Sequence, residues 1–420
     1  MNDPGIEPIH TEHKTSPVHK WLDRLWVILL VILLASTLIM YPSGRFCAYL
    51  GTDFRGYFAA AQIARQIGFA AVYDMSIQEQ YQAVLSFRCP DASYAPPLIR
   101  VSMPYLPVFV VVFLPLTYLD FTSAYYLWVI LNMAALLVYL RHFTYALGER
   151  AGYIRALQWA LCVPVFSNLA LGQMNVFLVI CLGEFVLASL IGRHSLGGFW
   201  LGGMLMKPHI LILLLPGLII RKNWQALLGF ISSALAILLV STLLAGWYGV
   251  WSSVRLAIQF SGPLIQTGPT MMNFRALALN LEPTLPAWLA WAVAICGIAL
   301  VAGFTLYLWK RYFSALVVQF IILIVATLAG TFAATWHSHF YMLMLLLPLL
   351  LILDLKQIIS PAWRWAWIMG PLVFFALLYL ANPDQVRNWF GLGMLAFNVF
   401  LLIWAAGILK HAGKEIPGAI

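Results

Sequence analysis

The sequence predicts an all-α, polytopic integral-membrane helical bundle, on three observations. Of 420 residues, 63% are hydrophobic and only 9% charged, where an ordinary soluble domain carries about a quarter of its residues charged. Mean hydropathy is +0.88. Apolar runs of about 20 residues recur to the C-terminus, each long enough to cross a ~30 Å hydrocarbon core as a helix.

About 12 transmembrane helices are expected, near 25–41, 104–119, 121–140, 154–171, 174–191, 197–220, 224–247, 286–309, 312–332, 339–358, 362–380 and 389–409. The first follows a polar tail, 1–24, and reads as an uncleaved anchor because Pro42, Ser43, Gly44 and Arg45 follow it instead of a small-residue cleavage site. Residues 25–410 form a single membrane domain, and 411–420 a second tail. Twelve crossings put both termini on one side with Arg221/Lys222, Lys310/Arg311, Lys356, Lys410 and Lys414. The positive-inside rule makes that side the cytoplasm. Arg141, Arg150, Arg155 and Arg193 fall on the other side under strict alternation. Either the rule fails there, or one segment between 104 and 220 is re-entrant or split.

Net charge is +9 and the pI about 9.3. In so apolar a chain this balance marks cytoplasmic loops and contact with anionic membrane lipids. No basic patch with interleaved aromatics points to nucleic acid. Of five cysteines, Cys162, Cys181 and Cys296 lie in apolar spans and read as small core residues. Cys47 and Cys89 bracket one hydrophilic segment and are candidates for a disulfide, with two free thiols as the alternative.

Two long segments, 42–103 and 248–285, are assigned to the outer face, where loops of such length are usually lids or binding elements. The first carries amphipathic helices. Asp53, Tyr57 and Ala61 share one face of its first helix, and Phe54 and Phe58 lie on a neighbouring face suited to the membrane interface. Gly68 suits the stop, and Ser76 with Glu79 reads as a capping box opening a second helix over about 77–87.

Ionisable groups inside a bilayer cost roughly 2.5–3.5 kcal/mol each at a helix centre, so each needs a partner or a task. Lys207 sits midway along the 197–220 run, followed by Pro208 and His209. Proline can break the helix and open a new half-helix, whose N-terminus beside an ammonium suits a phosphate. The alternative is a structural kink with Lys207 paired to Glu184. Gly198 and Gly202 have the spacing of close helix packing. In Trp336-His337-Ser338-His339-Phe340-Tyr341, a helical reading puts His337 and Tyr341 on one face and His339 elsewhere. Those side chains could orient an acceptor or stabilise a phosphate, or simply anchor a helix end. Gln173 and Asn175 interrupt two spans as either a turn or a sugar-binding pair, and Asn273 and Arg275 are similar candidates, Arg275 as a bidentate phosphate clamp. No ligand set for a metal is evident. Asp53 taken alone is most simply a solvated helix-N-terminal carboxylate.

The order of these motifs resembles glycosyltransferase family 87, the α-mannosyltransferase-like group of polyprenyl-phosphate-dependent GT-C enzymes. It is carried by Asp53-Phe54, Tyr57, Ala60, Gly68 and Val72-Tyr73-Asp74, then Tyr105-Leu106-Pro107 and Leu114-Pro115-Leu116. Gly172-Gln173, Asn175, Lys207-Pro208-His209, Arg221-Lys222, Asn273 and Trp336 to Tyr341 complete it. The resemblance implies a GT-C-like bundle and a catalytic base at Asp53. It also implies a polyprenyl-phosphate-linked sugar donor, a lipid-linked or cell-envelope glycan or glycolipid acceptor, and inversion at the anomeric carbon. Many such enzymes carry a second acidic residue where this chain has Arg55, which argues for metal-independent transfer. The expected enzyme is a mannosyl- or other hexosyltransferase of a bacterial inner membrane, with its site on the periplasmic face. A pentose donor, a lipid-linked-saccharide flippase and a polysaccharide ligase are the alternatives.

Overall fold

The computed structural model describes residues 28, 50–85, 87, 101–149, 152–260, 270–312, 317–360, 362–364, 366–367 and 383–412. All but residue 28 of the predicted first span, the first tail, all but 411–412 of the second, most of 362–380 and the Cys47–Cys89 pair lie outside them. Among the described residues every regular element is helical. In the first outer segment, α1 (Thr52–Gln66) and α2 (Met75–Ala83) are joined by a 3₁₀ stretch, Phe69–Tyr73. The short α3 (Pro107–Val110) runs into a 3₁₀ helix, Val111–Tyr118. Then come α4 (Phe121–Ala146), α5 (Gly152–Ala160), α6 (Val163–Leu171), α7 (Asn175–Leu190) and α8 (His194–Gly202). Past Lys207 follow α9 (Leu214–Ile220), α10 (Trp224–Phe260), α11 (Phe274–Leu281), α12 (Ala287–Arg311), α13 (Val317–Ala334), α14 (Leu347–Leu355) and α15 (Pro383–Ala412).

Among the described residues five helices are long and apolar enough to cross a membrane: α4, α10, α12, α13 and much of α15. The pair α5 and α6, bent by 61°, makes a sixth if taken as one span. The other predicted spans within the described residues are shorter or interrupted helices.

Helix α1 does not lie on a membrane interface. Phe54 and Phe58 are fully buried, along with Tyr57, Ala59 to Ala61 and Ile63. Phe54 enters an aromatic socket formed by Phe113, Phe121, Tyr125 and Trp128, with ring centroids 5.8–6.4 Å away. A phenyl ring gains more from such packing than from a half-wet interface. The cap of α2 also differs from the capping box. Asp74 is its N-cap, accepting from the backbone N–H groups of Ser76 and Ile77 and from the Ser76 hydroxyl. A carboxylate two residues earlier starts the helix sooner, because it satisfies orphan donors more strongly than a hydroxyl. Gly68, at φ 127°, ends α1 as expected. Cys162 and Cys181 are buried, but Cys296 faces outward from α12.

Helix direction follows from the contacts. The start of α4 lies beside Phe54, and its far end carries Arg141 and His142. Helix α7 descends beside it, with Gly183 against Tyr139 and Glu184 3.5 Å from His142, and ends near Arg193. Helix α8 then climbs back along α7, Gly197 meeting the Phe185 carbonyl, until the chain breaks at Lys207 (φ −134°, ψ 74°). From there α9 returns, because Gly217 packs on Trp309 near the end of α12. Helix α10 starts at the same level, where Ala226 lies against Gly198 and Ser233 against Gly202. Those two glycines are close-packing positions as expected, since a methyl on either would overlap α10.

Residues 194–220 are therefore a re-entrant excursion with Lys207 at its apex, not a span. Residues 107–118 likewise stay at the Asp53 end, since α1 packs on them and α4 begins there. These two corrections change where the arginines fall, Arg150 lying outside the described residues. Arg141, Arg155 and Arg193 join Arg221, Lys222, Lys310, Arg311, Lys356 and Lys410 at the end of the bundle opposite Asp53. That end is tied by Asp354, which accepts from Trp159 Nε1 at 3.0 Å and pairs with Arg364 at 3.7 Å. The second long segment is corrected too. Residues 248–260 continue α10 beyond a break at Gly246 (φ 67°, ψ 171°).

The re-entrant excursion is testable. In a cysteine-free background, Arg193→Cys and Lys222→Cys should both react with an impermeant maleimide from the same side of sealed vesicles. Labelling from opposite sides would require 197–220 to cross.

Candidate active site

Three interruptions of helical structure meet at one level: the Gly172 turn between α6 and α7, the break at Lys207, and the extended stretch before the 3₁₀ helix Phe340–Leu346. Gly172 has φ 71°, and a Cβ there would stand 2.5 Å from Phe54 Cβ, so a glycine is required where α1 abuts the turn. The contact is held by Gly51 N–H donating to the Ala170 carbonyl (2.8 Å) and Trp128 Nε1 donating to the Gly172 carbonyl (2.9 Å).

At the centre is Gln173. Its Nε2 donates to Asp53 Oδ2 at 2.6 Å and to the Tyr341 hydroxyl at 3.2 Å. Its Oε1 accepts from the Tyr57 hydroxyl and from Lys207 Nζ, both at 2.9 Å. Tyr105 lies 3.5 Å behind the Tyr57 hydroxyl. Since Tyr57 spends its one proton on Gln173, Tyr105 is the donor of that pair. Lys207 also sits over the Tyr341 ring, 5.3 Å from its centroid. Glu184 is not its partner. Among the described residues Asp53 Oδ1 accepts from no protein group, and two of the three Lys207 N–H donors are unassigned. Asp53 is half-buried, and enclosure raises its pKa above the ordinary carboxylate value, opposed in part by the Gln173 hydrogen bond and the Lys207 charge.

Around Lys207 stand three imidazoles. His337 meets His339 edge-on at 4.8 Å, and His209 lies 6.3 Å from His337. Burial, with the Lys207 and Arg275 charges, holds His337 down to about 4, so it is neutral near pH 7. Residues 335–339 are not helical, so the expected pairing is reversed: Tyr341 stacks on His339 (5.3 Å, 23°), not on His337. Arg275 donates to the Trp336 carbonyl at 3.4 Å and lies 4.7 Å over the Trp336 ring. Asn273 is used as the N-cap of α11, accepting from Ala276 N–H. Asn175 is fully buried beside the turn, and neither atom of its amide has a partner. Arg55, two residues past Asp53, points to another side of α1 and stays outside the network, its Nε without a partner. Among the described residues no three His, Cys, Asp or Glu side chains converge as metal ligands. Tyr105 was missed as a site residue; its only sequence signal was a place in the Tyr105-Leu106-Pro107 motif.

A carboxylate with one open oxygen and an ammonium with open donors, held on one amide, can accept a proton and hold an anion. The profile of glycosyltransferase family 87 matches residues 104–335, more than half of the chain. The chain belongs to glycosyltransferase family 87. The match includes Gln173, Asn175, Lys207, His209, Asn273 and Arg275, while Asp53 and His337 to Tyr341 lie outside it and are joined to it by the hydrogen bonds above. No curated protein and no solved structure matches the chain.

For this family 87 glycosyltransferase, the raised Asp53 pKa sets the sign of the pH dependence. If Asp53 is the group that accepts a proton, it must be ionised, and transfer should fall as pH drops through an acid limb lying above about 4, the ordinary carboxylate range. A rate profile with its acid limb below that range would show that Asp53 is not the ionising group.

Proposed function

We propose that this family 87 enzyme is an inverting GT-C-type transferase. It moves a hexose, mannose in the preferred reading, from polyprenyl phosphate to a lipid-linked or cell-envelope glycan. The observation that supports it is the sharing of Gln173 by Asp53 and Lys207, each with bonding capacity left over. The acceptor hydroxyl gives its proton to Asp53 Oδ1 as its oxygen attacks the anomeric carbon. The bond from that carbon to the phosphate oxygen breaks on the opposite face, inverting the centre. Polyprenyl phosphate leaves with the electron pair, and its negative charge develops against Lys207, with Arg275 and the neutral imidazoles of His209, His337 and His339 nearby. Asn175 is offered to a sugar hydroxyl. The apolar bundle receives the isoprenoid tail from the bilayer side.

In this reading no divalent metal takes part. The basic end of the bundle faces the cytoplasm, and Asp53 faces the periplasm of an inner membrane.

The test is transfer from polyprenyl-phosphate mannose to lipid acceptors by the purified protein in chelator. Asp53→Asn should lower turnover by about 10²–10⁴-fold with donor binding retained. Lys207→Met should lower it by about 10²–10³-fold. Full activity of Asp53→Asn, or turnover only of diphosphate-linked oligosaccharides, would overturn the assignment.

A further inference from the structure

Gln173 has no hydrogen-bonding position left for a sugar. Both N–H groups and both lone pairs of its amide are taken by Asp53, Tyr341, Tyr57 and Lys207. Its orientation is dictated, because turning the amide over would aim an oxygen at the carboxylate and an NH₂ at the ammonium. Both charged groups bond to this one amide. Arg364 pairs with Asp354 and Glu184 lies against His142, away from the site.

We propose that Gln173 is a positioning residue that wedges its amide between Asp53 and Lys207 and prevents their direct ion pair. The carboxylate is thus left able to take a proton, and the ammonium able to hold a phosphate. The proposal rests on the roles given above to Asp53 and Lys207.

The physical case is one of competition. In an enclosed apolar setting two opposite charges attract far more strongly than in water, and a direct contact would satisfy each at the other's expense. Paired to Lys207, Asp53 would be a weaker base, and the ammonium would spend on it a donor needed by the anion. A neutral amide presents an acceptor to one side and donors to the other, so it meets both charges without cancelling either. A carboxylate in its place would repel Asp53, and an ammonium would repel Lys207. The wedge is itself held. Tyr57, backed by Tyr105, fills the second lone pair of Oε1, Tyr341 takes the second N–H, and the Gly172 turn fixes the backbone against Phe54.

The titratable groups facing Asp53 are Tyr57 on its own helix, Tyr105 before α3, Lys207 at the break and Tyr341, with His209, His337, His339 and Arg275 grouped beyond Lys207. From α4, Tyr125 is committed to the Leu169 and Ala170 carbonyls. Lys207 is therefore the charge that loss of the amide would release onto Asp53.

The experiment uses the full-length protein in lipid vesicles with polyprenyl-phosphate mannose, recording kcat and KM against pH. Gln173→Met should lower kcat at least about tenfold. It removes a hydrogen bond that lowers Asp53, which alone would move the acid limb up, so a limb carried to lower pH by about one unit, a tenfold change in proton concentration, reads the closing of Lys207 onto the carboxylate. Gln173→Glu should move the limb to higher pH. Adding Lys207→Met to Gln173→Met should send the limb back up. Where turnover is too low to follow, the Asp53 carboxylate infrared band, isolated by subtracting the Asp53→Asn spectrum, reads the same ionisation directly. A folded Gln173→Met protein whose limb and band stay at their wild-type pH or move above it would overturn the wedge, even with turnover lost. An active Asp53→Asn enzyme would instead remove the catalytic reading beneath it, so the two failures are distinguishable.

Discussion

One buried amide carries the opposing charges of the site. Around it the bundle is apolar, and an ionised side chain in such surroundings costs several kcal/mol unless it is solvated by protein. Gln173 supplies that solvation to Asp53 and Lys207 at once, each through a charge-assisted hydrogen bond shorter than 3 Å. Remove the amide, and the bundle would have to bury two charges with no fixed partner or let them collapse together.

The rest of the architecture can be seen as what delivers these three side chains to one point. Each comes from a place where a helix stops. Asp53 is in the first turn of α1, Gln173 follows the left-handed Gly172, and Lys207 stands at the apex of a re-entrant excursion. Backbone that leaves the helix inside a membrane protein is tolerated where it is packed in protein or lines a polar cavity. The aromatic socket around Phe54 seats α1 against the turn, and the glycines of α8 let α10 press the excursion into the bundle. Arg141, Arg155, Arg193, Arg221, Lys222, Lys310, Arg311, Lys356 and Lys410 gather at the far end, away from the charges of the site.

Much of this was legible residue by residue. Asp53, Tyr57, Gln173, Lys207 and Tyr341 were all singled out from the sequence, because polar groups are scarce in so apolar a chain and each demands a reason. The glycine packing of α8 and the break at Lys207 also followed from local rules. What misled was periodicity taken as position. Phe54 and Phe58 looked like an interfacial face because α1 is amphipathic, yet the apolar face of such a helix packs equally well into an aromatic socket. The helical assumption at 335–339 paired His337 with Tyr341, whereas a non-helical backbone there, extended at His339, brings His339 onto the ring. Tyr105 carried no charge and no unusual spacing to mark it.

Composition and the 20-residue apolar runs by themselves determined that this chain is a membrane-embedded helical bundle, and the scarcity of polar side chains determined which ones to watch. Only the tertiary structure decided which of them meet. Hydropathy measures how greasy a segment is, not whether it crosses or turns back, so the excursion at 194–220 and the non-crossing 107–118 were open to either reading. The partners of Gln173 lie 34 to 168 residues away in the chain, and contacts at that separation depend on how whole helices pack, which no local pattern encodes.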